Sequence, residues 1–345
     1  MDRFVERLVG EVLERHGSDR TRLMDMLWEV QHARGHISED AIAALAKGLG
    51  MSEPDVAETV TFYHFFRTAP FAQHVIYLAD TVIARMKGYD AVRAALIEAT
   101  GANFGVHDAT GQFGLDDAPC IGLSDQEPAM LLDDVVFSNL TPEKVFEIVA
   151  QLRAGKSAEE VANPEAFDKT SVAYVDAVAE AKIRKSGPVL FQPGRDYAAL
   201  VRSIVERKPE EIIAEVDASD IRGRGGAGFP AGLKWRLARA AEGQERYIIC
   251  NADEGEPGTF KDRALLTHSA KDVLLGMIAA AHSVGARHGI VYLRAEYWYL
   301  KAFLEAQIDA FRAENLLGRN ILGSGLDFDI RIQMGAGAYV CGDET

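Results

Sequence analysis

The chain has 345 residues, and 37 lysines and arginines against 52 aspartates and glutamates leave a formal net charge of −15. That length suggests two or three domains with real cores, and 48% hydrophobic with 26% charged residues is ordinary globular composition that argues against disorder. The acidic balance disfavours nonspecific binding to nucleic acid or anionic membrane, and the longest aliphatic run, 273–281, is too short to span a bilayer.

Residues 1–70 read as a bundle of four short helices. Val5, Leu8, Val9, Val12 and Leu13 recur at helical spacing, and Leu23, Leu27 and Val30 mark a second helix ending at Gly35. Ser38 is an N-cap for a helix bearing Ile42, Leu45 and Leu49, and Ser52 with Pro54 opens a fourth through Val56 and Val60. The period changes over 71–155. His74-Val75-Ile76-Tyr77-Leu78 predicts a strand, Val92 and Leu96 a helix, and 129–132 with 135–137 a hairpin turning on Asp133-Asp134. Thr141 and Pro142 then start a helix to about Arg153, so the unit reads as a thioredoxin-like α/β sandwich. Residues 156–194 are a polar connector with one helical stretch at 172–183. From 195 to 345, strand candidates at 247–250, 290–293 and 328–332 alternate with helices at 273–284 and 297–313, which predicts an α/β domain with a largely parallel sheet.

Three motifs in this last stretch carry chemistry. The first runs from Arg222 to Trp235, where Gly223, Gly225 and Gly228 satisfy G-x-G-x-x-G. Its context is not that of a Rossmann turn, because the preceding 214–220 is acidic and looks like a helix end. Gly226 adds to a loop whose backbone N–H groups can approach a phosphate, with Arg222, Arg224 and Lys234 supplying positive charge and Pro230 opening a helix. A tight-packing glycine turn is the competing reading. The second motif, 250–263, holds Asn251, Asp253, Glu254 and Glu256 at the C-terminal end of a strand, where open α/β sheets bind ligands. Its crowded carboxylates suit ribose hydroxyls or ring N–H donors, against a solvated loop or a hard cation. The third, 335–344, is a glycine-rich stretch after a strand that includes Tyr339, Gly342, Asp343 and Glu344. The three cysteines, Cys120, Cys250 and Cys341, make no disulfide framework, and the charged segment from Asp2 to Arg7 has no signal-peptide core, so a reducing, cytoplasmic compartment is expected.

Together the three motifs resemble the flavoprotein subunit of complex I-type NADH dehydrogenases, a module also found in NAD-reducing hydrogenases and NAD-dependent formate dehydrogenases. The resemblance spans 187–345. It implies binding of FMN and NAD side by side, with hydride passing between them and electrons leaving to iron–sulfur centres. It further implies FMN-phosphate or cofactor-approach roles for Gly223, Arg224, Gly225, Gly226, Gly228 and Lys234. Phe229 matches an adenine-stacking aromatic, although Leu237 stands where a relative has a second phenylalanine. Asn251, Asp253 and Glu254 match flavin positions and Glu256 a dinucleotide position. Tyr339, Gly342, Asp343 and Glu344 match the loop beside the flavin, with Glu256 and Glu344 as the catalytic candidates. Residues 1–150 resemble the partner subunit of the same enzymes through 61–66 and 122–130. That subunit carries a thioredoxin-like [2Fe–2S] domain. The four ligand positions are here Ala79, Ala84, Cys120 and Ser124, so a [2Fe–2S] cluster is not expected. The fusion of both parts resembles the diaphorase α subunit of soluble NAD-reducing hydrogenases, which implies an iron–sulfur diaphorase subunit and hydrogenase subunits as partners. In the family, further flavin contacts and the cysteines of a [4Fe–4S] cluster lie beyond the position of Thr345, so the flavin domain is expected to be incomplete here. The same module in a formate dehydrogenase or respiratory complex, and a non-catalytic assembly fragment, are the alternatives.

Overall fold

The computed structural model describes residues 2–179, 187, 189–243 and 245–339. Gly342, Asp343 and Glu344, and the 180–183 end of the expected connector helix, lie outside the described residues.

The four expected N-terminal helices form: α1 (Arg3–Arg15), α2 (Leu23–Arg34), α3 (Glu39–Leu49) and α4 (Glu53–Phe62). Their ends follow local chemistry. The Ser38 and Ser52 hydroxyls accept the Ala41 and Asp55 amides, and Gly35 and Gly50 close α2 and α3 in the left-handed conformation.

Next come β1 (His74–Ala79), α5 (Val82–Met86), α6 (Tyr89–Thr100), β2 (Phe113–Ala118), β3 (Met130–Leu132), β4 (Val135–Phe137) and α7 (Pro142–Arg153). The sheet order is β2-β1-β3-β4, with β1 and β2 parallel and the other pairs antiparallel. The Asp133-Asp134 turn has φ of 49° and 66°, the mirror-image geometry that matches strand twist in a two-residue hairpin. Asp133 is anchored as well, accepting the Val75 amide at 2.9 Å and pairing with His74 Nδ1 at 2.6 Å. Strand β2 is a departure from the sequence reading. Its Phe-Gly-Leu-Asp-Asp-Ala lacks a β-branched run and is held by parallel pairing to β1, with Gly114 leaving no room for a Cβ beside Phe71.

The connector contains α8 (Ala158–Ala162) and α9 (Val172–Val178). Beyond it lie α10 (Tyr197–Val205), α11 (Pro209–Ala218), α12 (Ala231–Ala240), β5 (Tyr247–Ala252), α13 (Lys261–His268), α14 (Ala270–Val284), β6 (His288–Leu293), α15 (Lys301–Ala313) and β7 (Asp329–Met334). The expected parallel sheet is present as β5-β6-β7, with Tyr247, His288 and Asp329 in register. The expected helix at 297–313 is instead a 3-10 turn, Ala295–Leu300, followed by α15. Tyr297 leaves helical geometry there, and its side chain is wholly buried and committed to a partner on another loop.

The N-terminal helices do not close a core of their own. Ile76, Leu78, Phe113, Leu115, Met130 and Leu132 pack under α6 and α7, forming one apolar cluster. The opposite sheet face, through Tyr77, Ala79 and Leu131, joins Trp28, Val56, Phe65, Met277, Leu293, Tyr297 and Met334 in a second. That second core runs from the first helices to the last strand.

Candidate cofactor-binding site

The first motif sits between α11 and α12. The acidic stretch before it is the end of α11, as its composition implied. Arg222 and Pro230 bridge at its base, and the Gly223 amide donates to Phe229 O at 2.9 Å, so 223–229 is a closed loop. Gly226 and Gly228 have φ of 109° and 63°, which side-chain-bearing residues rarely adopt. Around Gly225, Gly226 and Gly228 a Cβ would meet open space, so these glycines are there for conformation and access rather than for tight packing. Arg224 and Lys234 are exposed, Phe229 is 44% exposed and Leu237 56%. Pro230 precedes the first turn of α12, whose N-terminus favours an anion. A phosphate-bearing ligand fits this exposed backbone and its flanking cations.

The second motif leaves the C-terminal end of β5. Asn251 Oδ1 accepts the Asp253 amide at 3.0 Å, turning the chain out of the sheet. Asp253 Oδ1 and the Tyr292 hydroxyl both lie 3.4 Å from where a Gly335 Cβ would stand, and Gly255 faces the Tyr339 ring. The structure therefore brings the second and third motifs together at the carboxyl ends of β5 and β7. The glycine loop is placed by a different scaffold, the α11–α12 hairpin.

The sequence reading grouped Asp253, Glu254 and Glu256 as mutually repelling carboxylates awaiting a ligand. Glu254 departs from that picture. It is 4% exposed, and its Oε1 accepts the Asp262 amide at 2.6 Å while Oε2 accepts the Arg263 amide at 3.1 Å and the Tyr297 hydroxyl at 2.8 Å. It thus caps the start of α13 and is already satisfied by protein donors. Glu256 is exposed, with its carbonyl accepting the Thr259 amide in a tight turn. Burial raises the half-buried Cys250 thiol to about 11, so it is a neutral packing group near pH 7.

Several residues of this region escaped sequence reasoning. Arg294, 3% exposed, follows β6; it pairs with Glu296 and donates to Glu254 O and, at 2.7 Å, to Cys120 O. Arg263, 1% exposed, pairs with Asp125. Trp28 Nε1 donates to Gly335 O at 2.9 Å, and the Phe65 amide to Ala336 O at 3.1 Å. Only the position of Arg294 at a parallel strand's carboxyl end could have marked it in the sequence.

The four cluster positions of the thioredoxin-like unit offer poor donors. Ala79 and Ala84 are fully buried methyl groups, and Cys120 Sγ is 3.4 Å from Ser124 Oγ. One sulfur and one hydroxyl do not fit a two-iron cluster, which needs four ligands of thiolate or imidazole type. Among the described residues no group of three or more His, Cys, Asp or Glu is arranged to hold a metal ion. A cavity of about 470 Å³, lined by His74, Asp133, Lys169, Tyr174, Trp298 and Lys301 among others, lies away from all three motifs. No single described helix is long and apolar enough to cross a membrane.

Comparison with known proteins matches both halves. Residues 9–153 match the family of thioredoxin-like [2Fe-2S] ferredoxins, and residues 216–345 match the Nuo51 FMN-binding domain. The alpha subunit of NAD-reducing hydrogenase HoxS from Cupriavidus necator is 55% identical over 338 residues, covering 98% of this chain and 56% of that subunit. A NADH-quinone oxidoreductase subunit of Aquifex aeolicus is 47% identical over 149 residues, covering 43% of this chain and 34% of that protein. The solved structure of NAD+-reducing [NiFe]-hydrogenase in the H2-reduced state aligns with a TM-score of 0.80 at 33% identity, covering 94% of this chain and 52% of that one. The chain thus spans about half the length of the hydrogenase relative it matches throughout. With a thioredoxin-like unit ahead of a Nuo51-type FMN-binding unit, this chain is a homologue of the alpha subunit of NAD-reducing hydrogenase.

Proposed function

We propose that this chain is the NADH- and FMN-binding part of a NAD-reducing hydrogenase, in which reducing equivalents move between NAD(H) and FMN. FMN, when bound, supplies the conversion between a two-electron hydride and single electrons. The observation that carries this reading is the meeting of the second and third motifs at the carboxyl ends of β5 and β7, where parallel sheets bind ligands.

The protein's part is positioning. The glycine loop at 223–228, with Arg224 and Lys234, would hold the FMN phosphate through backbone N–H groups and cationic side chains. Asn251 and Asp253 would take the hydrogen-bonding groups of the flavin, and Tyr339 would close the site over Gly255. Exposed Glu256 and Phe229 are free to meet the dinucleotide, the carboxylate by its ribose hydroxyls and the ring by its adenine. Gly342, Asp343 and Glu344 are assigned to the same loop by sequence resemblance alone, Glu344 with Glu256 beside the nicotinamide. Glu254 serves from behind, as the cap that fixes the loop.

The donor set at 79, 84, 120 and 124 supports a thioredoxin-like unit without a [2Fe–2S] cluster. Electrons then leave through an iron–sulfur partner subunit towards hydrogenase subunits. Resemblance across nearly the whole chain to a hydrogenase subunit, against less than half for the NADH-quinone oxidoreductase subunit, favours this electron partner over a respiratory one. A cytoplasmic site agrees with a sequence whose three cysteines, odd in number and far apart, do not have the spacing of a disulfide framework. The test is anaerobic: the chain, supplied with FMN and then NADH, should bleach the bound-flavin absorbance. A flavin that stays oxidised in the presence of NADH refutes the assignment.

A further inference from the structure

The segment 120–125 holds two of the four family cluster positions, yet its contacts point to the flavin site rather than to a metal. Three of its residues reach across to the C-terminal unit. The Cys120 carbonyl accepts Arg294 Nη2 at 2.7 Å. Gly122, at φ 79°, packs so closely that a Cβ would collide with the Tyr297 hydroxyl. The Asp125 carboxylate pairs with the Arg263 guanidinium.

Each residue it reaches also holds Glu254. Arg294 donates through Nη1 to the Glu254 carbonyl. Tyr297 donates its hydroxyl to Glu254 Oε2 at 2.8 Å, and the Arg263 amide donates to the same oxygen at 3.1 Å. Arg263, Arg294, Tyr297 and Glu254 are all 4% exposed or less, so these bonds are shielded from water. Three contacts from one short loop converge on one carboxylate-bearing residue of the second motif.

We propose that the 120–125 loop is a positioning clamp for the Glu254 turn, so that the thioredoxin-like unit sets the affinity of the flavin site without carrying electrons. The inference rests on the FMN reading above. Asp125 and Tyr297 are positioning residues here: neither needs to touch the cofactor. Their loss releases a turn whose geometry FMN must then restore at the expense of binding.

The test is a cycle of Asp125→Asn, Tyr297→Phe and the double variant in the full chain, with Ser124→Ala as a control from the same loop. Two quantities are read: amide hydrogen exchange over 253–262 without FMN, and the FMN dissociation constant from quenching of flavin fluorescence. Each single variant should speed exchange over 253–262 and weaken FMN by about tenfold or more, the double variant should add little to either, and exchange in β1–β4 should stay unchanged. Ser124→Ala should change neither quantity. Full additivity, or an FMN effect without faster exchange in the turn, overturns the clamp. Faster exchange with unaltered FMN affinity overturns its link to the flavin. A parent chain that takes up no FMN while the exchange pattern holds overturns the FMN reading instead.

Discussion

Replacing Glu127 by glutamine should turn a pH-sensitive fold into one that is less so. Glu127 is 3% exposed in the thioredoxin-like unit; its Oε1 accepts the Thr81 hydroxyl at 3.3 Å, and its Oε2 is buried with no hydrogen-bond partner. Burial dominates and pushes its carboxyl from 4.5 to about 7, with the Ala129 amide and the Thr81 hydroxyl opposing only in part. The folded state therefore holds a proton that the unfolded chain releases. This stabilisation is fully present below pH 4.5 and is lost as pH rises through 7, so ionisation at pH 8 costs roughly 3 kcal/mol. Glutamine keeps the shape and cannot ionise. In urea unfolding at several pH values, the variant should exceed the parent by about 1–3 kcal/mol at pH 8, and the gap should close towards pH 5. Parallel stability profiles for the two proteins would show that the carboxyl is solvated or paired, and the reasoning would fail.

Purified from an iron-replete host, the chain should lack a [2Fe–2S] centre, because Ala79, Ala84 and Ser124 leave Cys120 alone; stoichiometric iron with the reduced-state EPR signal would contradict this. Glu256→Ala should lower kcat/KM for NADH by about ten- to a hundredfold while bound FMN and melting temperature hold, as expected for an exposed carboxylate meeting substrate. If that contact is equal in ground and transition states, the loss appears in KM. Trp28→Phe removes the buried donor to Gly335 O and should reduce stability by about 1–3 kcal/mol in chemical denaturation; an unchanged midpoint would mean that water replaces the indole N–H.

What the sequence made legible follows from how locally each feature is determined. The Asp133-Asp134 hairpin, the Ser38 and Ser52 caps and the glycine stop at 35 depend on a few adjacent residues, and the structure has them. Strand β2 does not; its Asp116 and Asp117 look like turn residues until β1 supplies hydrogen bonds on one side. The three motifs of the C-terminal unit were visible because they are long and contiguous. The inward turn of Glu254 was not, since its partners Arg263, Arg294 and Tyr297 are dispersed and ordinary in sequence. Local charge counting put Glu254 with Asp253 and Glu256, whereas burial separates it from them. Likewise the four amphipathic N-terminal helices gave no sign that their inner faces would be covered by strands more than two hundred residues away.

That shared core has a consequence for biosynthesis. Trp28 and Gly335 are separated by 307 positions, so at about 5–20 residues per second the ribosome leaves the indole without its acceptor for roughly 15–60 s. Trp28, Phe65 and Phe66 therefore emerge early, with their cover still unmade. Nascent chains in that interval present a sticky apolar face, and a holdase that shields it should matter more to the yield of this protein than to that of either half's single-domain kin.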